Sequence, residues 1–387
     1  MSASARFVWT VVAPLLLLGV LLAVFLVTDP TRAIRGDAPP VEALVFERVT
    51  LGPAGIEAVV LNDGPDPVTV AQVQVDEAYW AFEMDPPDGV LSHLERGVVR
   101  LPYPWVSGEA HELRLVTSTG VTFDHGIEVA LASPRPGWRS FGVFALIGLY
   151  VGVIPVALGL LWYPMVRRLG DRGLGFVLSL TIGLLLFLLV DSLHEGLEAA
   201  RGLASSLQGT ALLVFSALFA WLAIEVVGRW LVRGTGGGRS VAMLVAIGIG
   251  LHNLGEGLAI GAAFALGAVT LGNLLIVGFM LHNTTEGLAI VAPLGEERSS
   301  VPYLCLLGLV AGVPTVFGAW LGGFAYSTLW PVVFLGIGAG AIAQVVVQIA
   351  RSMGRRTPLF ERLRSMPVAG GLAAGVLLMY ATGLLIG

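Results

Sequence analysis

The chain has no lysine, a single cysteine and few charges of either sign: 13% of its 387 residues are charged and all 22 basic residues are arginine. The all-arginine usage speaks more of genome composition than of chemistry. A soluble domain carries roughly 25% charge, so this composition excludes an ordinary soluble protein. Cys305 lies alone in an apolar segment, which excludes both an internal disulfide framework and a thiolate zinc site within the chain. No nucleotide-binding motif occurs, so any movement of a solute is not powered by ATP at this chain. No His-Glu-x-x-His pattern occurs either, which argues against a zinc protease.

Apolar sequence is what the chain has in excess: 56% of it is hydrophobic, with mean hydropathy +0.83. Windows of roughly 20 residues, enough to span a bilayer, lie near 7–27, 141–166, 174–195, 209–232, 240–264, 270–293, 301–325, 328–350 and 367–386. The first follows Arg6 and ends at Thr28-Asp29-Pro30 without a small-residue cleavage pattern. It reads as an uncleaved signal anchor over 1–30, with a cleaved signal peptide as the alternative. Arginine placement orients the spans. Arg167, Arg168, Arg172, Arg229, Arg233, Arg239, Arg298, Arg351, Arg355, Arg356, Arg362 and Arg364 all fall on one side if every window crosses. The opposing loops near 196–208, 265–269 and 326–329 carry only Arg201. The positive-inside rule makes the basic side cytoplasmic. Residues 31–138 and the C-terminus are then extracytoplasmic in a multi-pass protein of the plasma membrane.

Residues 31–138 change character. Alternating runs such as Val68–Val75 and Glu112–Ser118 predict strands, and Asn62–Pro67, Asp85–Gly89 and Thr119-Gly120 predict turns between them. This is the pattern of a small β-sandwich. The segment holds 16 acidic side chains against 7 arginines, enough to raise local cation concentration modestly. His93, His111 and His125 are taken as structural or surface residues, and no site is assigned here.

The chemistry concentrates in two copies of one motif, 30 residues apart: His252-Asn253-Leu-Gly-Glu256-Gly257 and His282-Asn283-Thr-Thr-Glu286-Gly287. On a helix, positions i and i+4 share a face, so each copy points an imidazole and a carboxylate the same way. Thirty residues at 1.5 Å rise carry the chain from mid-helix over a short loop, apex near 267–271, to the middle of the antiparallel neighbour. Both copies then sit at one depth, where transporters place substrate sites. Imidazole nitrogens with carboxylate and amide oxygens suit divalent transition metals. Ionisable residues inside a membrane are costly and therefore mark function. The structural alternative, a self-satisfied His–Glu pair, fits one copy better than two at matched depth. The glycine after each glutamate is expected to let the two motif helices approach closely.

Asp191, His194, Glu195 and Glu198 follow three- and four-residue spacings and predict one polar stripe at the outer end of the third window. It reads as a route by which ions enter, or as a solvated helix terminus. Glu225 is four residues before Arg229 and reads as an i,i+4 salt bridge.

These motifs, in this order, resemble the ZIP (Zrt- and Irt-like protein) family of divalent-metal transporters, closest to its prokaryotic branch. The resemblance covers about residues 140–387. The fourth-span pattern of the family matches His252, Asn253 and Glu256, and a related fifth-span pattern matches His282, Asn283 and Glu286. Gly318–Gly322 and Gly338–Ile342 look like its sixth and seventh spans. The resemblance implies a mainly α, eight-helix bundle over 139–387, with both ends outside, and metal binding at those six residues. The chain departs from the family in four places: Val313-Pro314-Thr315 replaces a sixth-span acid, Gln348 a seventh-span one and Asn283 a common acid, while Gly234–Gly238 replaces a His-rich loop. A second metal would be held less well. The β-sandwich lies outside the resemblance.

The expected function is import of divalent metal cations into the cytoplasm, zinc first and iron, manganese or cadmium behind it. The metal is substrate, there is no organic cofactor, and the chain is not expected to be an enzyme. Alternatives are an intramembrane metal-dependent lipid hydrolase using a zinc-activated water, and a metal sensor or degenerate transporter. Expected partners are metal ions, membrane lipid and, as one option, a second copy in a homodimer; nucleic acid is not among them.

Overall fold

The computed structural model describes residues 3–28, 40–235, 237–325, 327–353 and 365–384. The basic loop with Arg355, Arg356, Arg362 and Arg364, the Arg233 side chain, position 236 of the glycine loop, Asp29-Pro30 and residues 31–39 lie outside them. The chain forms two compact units, Met1–Val41 and Glu42–Gly387. The first holds helix α1 (Ala3–Thr28), whose residues 7–27 carry no charged side chain.

The second unit begins with nine strands: β1 (Leu44–Gly52), β2 (Gly55–Asn62), β3 (Val68–Val75), β4 (Ala78–Trp80), β5 (Glu83–Asp85), β6 (Val90–Leu91), β7 (Arg96–Leu101), β8 (His111–Thr117) and β9 (Thr122–Ile127). They form one sheet in the order β1-β2-β7-β5 and a second in the order β4-β3-β8-β9, with β6 beside β3. A single apolar core lies between them, with Val60 and Val99 from one side and Leu113 and Leu115 from the other. Each fully buried aliphatic side chain contributes roughly 1.5–3 kcal/mol. The alternation of β3 slips once. Val68 and Val70 face inward, a bulge follows, and Val73 and Val75 then restore the phase. The sequence Val-Thr-Val-Ala-Gln-Val-Gln-Val already contains that slip.

The rest is helical. Helix α2 (Trp138–Gly148) runs through a π-turn (Leu149–Val153) into α3 (Ile154–Leu160), with α4 (Tyr163–Val166) after it. Then come α5 (Asp171–Arg201), α6 (Gly209–Thr235), α7 (Gly238–Ala265), α8 (Val269–Val291), α9 (Val301–Phe324), α10 (Leu329–Met353) and α11 (Met366–Leu384). Among the described residues, seven helical segments are long and apolar enough to cross a membrane, from Trp138–Val166 to Leu329–Arg351. This is the architecture of a polytopic membrane protein with a small β domain. The other two expected windows fall on α1 and α11, whose described apolar stretches are Val12–Phe25 and Met366–Thr382.

The two ends of the bundle are tied differently. At one end Arg239 donates to Arg298 O at 2.5 Å, Tyr163 Oη to Glu297 O at 2.7 Å, and the Gly238 amide to Glu297 Oε1 at 2.7 Å. The sandwich meets the opposite end. There Ser133 Oγ donates to Ala265 O at 3.3 Å, and Asp63 accepts from the Ser205 and Ser206 amides at 2.6 and 3.2 Å. Backbone donors of this kind outweigh the cost of partial burial and hold the Asp63 carboxyl below its ordinary value.

Helix α7 packs most extensively on α9, more than on α8, its neighbour in sequence. Glycine makes this contact. A Cβ on Gly257 would stand 2.1 Å from Thr315 O, and one on Gly318 2.1 Å from Leu254 O. Gly287 instead lies against Val156 O and Gly159 of α3. The motif glycines thus bring helices together, but not the two that carry the motifs. Each sits on the face of its helix away from the other copy.

Candidate metal centre

The connection between α7 and α8 is three residues, 266–268, turned by Gly267 at φ +77°. It returns the chain antiparallel and brings both motif copies to mid-helix depth. His252, Glu256 and His282 meet there, all buried, with one ligand atom from each within 4.8 Å of the others. His282 Nε2 lies 2.5 Å from Glu256 Oε1. His252 Nε2 lies 3.2 Å from the same oxygen, without hydrogen-bond alignment. Its other ring nitrogen, Nδ1, is 3.2 Å from Ser192 Oγ on α5. A histidine ligand presents one nitrogen and is oriented through the other, and Ser192 is placed for that second role. Gly338 of α10 presses on the same residue: a Cβ there would be 3.1 Å from His252 Cα.

Each asparagine is held by a backbone carbonyl of another helix. Pro155 has no amide to offer Val151 O four residues earlier, and Asn283 Nδ2 donates to that carbonyl at 3.0 Å. Asn283 Nδ2 also donates to Glu256 Oε2 at 3.0 Å. Pro314 lies inside α9, and Asn253 Nδ2 donates to Ala311 O, three residues before it, at 3.1 Å. Fixed by their nitrogens, both asparagines keep their Oδ1 atoms unpaired and buried.

Glu286 completes the set differently. It is buried, and neither carboxylate oxygen accepts a hydrogen bond; Asn253 is its neighbour without the required geometry. An ionised carboxylate in such a position is costly unless a cation or donor joins it. Of the six predicted residues, three converge, Asn283 steadies the shared glutamate, and Asn253 and Glu286 offer bare oxygens nearby.

The polar stripe on α5 divides. Asp191 and Glu195 are half-buried and lie within electrostatic range of His252, His282 and Glu256. His194 and Glu198 are exposed and pair with each other at 3.4 Å. Three- and four-residue spacings turn a helix by 300° and 400°, so one side of the stripe faces the centre and the other faces away. Glu225 is more than an intrahelical partner of Arg229: it also accepts from Gln344 Nε2 at 2.9 Å and Arg351 Nη1 at 3.2 Å on α10. Ser192, Gln344 and Pro155 were not singled out in the sequence, and Pro314 was read only as standing near a missing acid. Pro155 was the available signal for the Asn283 contact, since a proline within a span frees a carbonyl.

In the sandwich, the histidines have structural neighbours. His93 Nδ1 is 2.8 Å from Gly64 O, His111 Nδ1 is 2.7 Å from Asp76 Oδ2, and His125 stacks on Phe46 at 5.1 Å. Burial holds the His125 imidazole below its ordinary value.

No protein-family model matches this chain, and no curated protein matches it.

Proposed function

We propose that this protein carries divalent transition-metal cations, zinc foremost, across the plasma membrane into the cytoplasm, as a ZIP-type transporter with an added extracytoplasmic sandwich. The observation that carries the reading is the buried meeting of His252, Glu256 and His282 beside the unpaired oxygens of Glu286, Asn253 and Asn283. The Glu286 carboxylate has no positive partner to offset its burial, and a dication supplies it. Nitrogen with carboxylate and amide oxygen is the donor set of borderline metals. Asp191 and Glu195, at the sandwich end of α5, would draw the ion inward, and the arginine-rich end would face the cytoplasm.

Binding needs neutral imidazole and ionised carboxylate, so affinity falls as pH is lowered. The test is metal uptake into vesicles, set beside calorimetric binding by the purified chain. The double substitution Glu256→Ala with Glu286→Ala is expected to abolish both. Uptake that survives it refutes the pathway; wild-type binding without flux turns the reading into that of a sensor.

A further inference from the structure

Two adjoining cavities lie at the seam between the sandwich and the sandwich-side ends of α7, α9 and α2. The first, about 640 Å³, is lined by Arg48, Arg100 and Arg135, by Glu57 and Glu83, and on the bundle side by Leu266 and Phe324. The second, about 570 Å³, runs along α2 past Val143, Phe144 and Ile147 to Phe264, with Arg135 and Arg139 among its lining residues. Leu51, Gly52, Ser133, Pro134 and Arg135 belong to both, so Arg135 stands where a charged chamber passes into an apolar one. Both volumes are in the range of small-ligand sites.

The charges in the first chamber do not cancel. Arg100 Nε is 3.3 Å from Glu57 Oε2, and Glu83 faces Arg100 across the β5–β7 pair. Arg48 and Arg135 have no ion-pair partner among the described residues, and Arg139 adds a third cation beside them. The height is informative as well. The seam lies where the span Trp138–Val166 begins and where Gly238–Ala265 and Val301–Phe324 end. Trp138, 95% exposed, occupies the level at which interfacial tryptophans sit. Arginines at that level meet lipid phosphates, and the adjoining apolar chamber leads off toward the membrane-facing side of α2.

We propose that this seam binds an anionic glycerophospholipid of the sandwich-side leaflet, with Arg48 and Arg135 on the phosphate and one acyl chain laid along Val143 and Ile147. The bound lipid would then contact both the sandwich and the bundle. This inference stands apart from the metal centre and its failure would leave that reading untouched.

The experiment is native mass spectrometry of the full chain in detergent, titrated with phosphatidylglycerol or phosphatidylcholine. Phosphatidylglycerol is expected to bind about tenfold tighter, a difference of about 1.4 kcal/mol. Arg48→Gln with Arg135→Gln should erase that preference, and the corresponding lysine pair should keep part of it. Ile147→Trp should fill the apolar chamber and weaken phosphatidylglycerol. Equal binding of the two lipids, a preference that survives the glutamine pair, or displacement of phosphatidylglycerol by inorganic phosphate alone would overturn the proposal. If the glutamine pair fails to fold, the wild-type comparison and Ile147→Trp still decide it.

Discussion

In the first motif copy, Glu256 is surrounded: His282 approaches one oxygen at 2.5 Å, His252 stands 3.2 Å from the same atom, and Asn283 donates to the other. In the second copy, Glu286 occupies the same helical position and receives no aligned hydrogen bond, with only the Asn253 side chain beside it. The strings His-Asn-x-x-Glu-Gly are matched, so the difference comes from what the neighbouring helices bring. Asn283, from the second copy, serves the first copy's glutamate, while Asn253 spends its amide nitrogen on Ala311 O. The duplication has produced one anchored carboxylate and one bare one. Such a pair separates holding a site together from awaiting a cation.

That contrast is open to direct challenge. The largest effect is expected at Glu256. Removing one partner of a buried pair typically costs about 3–5 kcal/mol, so Glu256→Ala should lower thermal stability of the metal-free protein in detergent strongly. Glu286→Gln should leave that stability almost unchanged while still weakening metal binding in calorimetry. Equal destabilisation by the two would remove the asymmetry.

The next effect sharpens how the centre is held. Asn283→Ala frees both Glu256 and Val151 O, and loss of such supporting contacts costs about 10- to 100-fold in metal affinity. Pro155→Ala restores an amide that competes for Val151 O. A double-mutant cycle between Pro155 and Asn283 in metal binding should therefore show coupling of about 0.5–3 kcal/mol. Additive effects would mean that the proline and the asparagine act independently.

The smallest effect lies at the sandwich. Asp63 and Asp76 face partial burial, which raises a carboxyl's pKa. Donors outweigh it in both, Ser205 and Ser206 for the one and Glu112, His111 and Tyr103 for the other, so both sit below the ordinary aspartate value. Their stabilisation is complete above that ordinary value, about 3.9, and is lost as pH falls through the lowered native ones. Asp63→Asn should thus cost about 1 kcal/mol at neutral pH, the difference between hydrogen bonds to a charged and to a neutral acceptor. In thermal unfolding at acid pH the variant should converge on the wild type. A gap that widens in acid would reverse the assigned sign.

Much of this was legible before any coordinates. The strand Val68–Val75 is bounded as its alternation implies, and the turn at Gly267 falls within the apex that thirty residues allow. Hydropathy finds such features because each is set by residues close in sequence. The α5 stripe shows the limit. Spacing gives Asp191 and His194 similar angular positions, yet which edge of that arc meets another helix depends on what packs there. The same holds for Gly257, whose close approach is evident from its size but whose partner, Thr315 of α9, is 58 residues away.

By itself, then, the amino-acid sequence determined that the chain lives in a membrane, that a β domain precedes the bundle, and that two imidazoles and two carboxylates share one depth. All of these follow from local periodicity and from the cost of wetting apolar surface or burying charge. Only the tertiary structure decided that Glu256 is shared and Glu286 left without an aligned donor, that Pro155 leaves Val151 O to Asn283, and that arginines of the sandwich gather above an apolar chamber. Hydrogen bonds reach about 3 Å, so such pairings depend on which helix lies beside which, and no spacing along the chain encodes that.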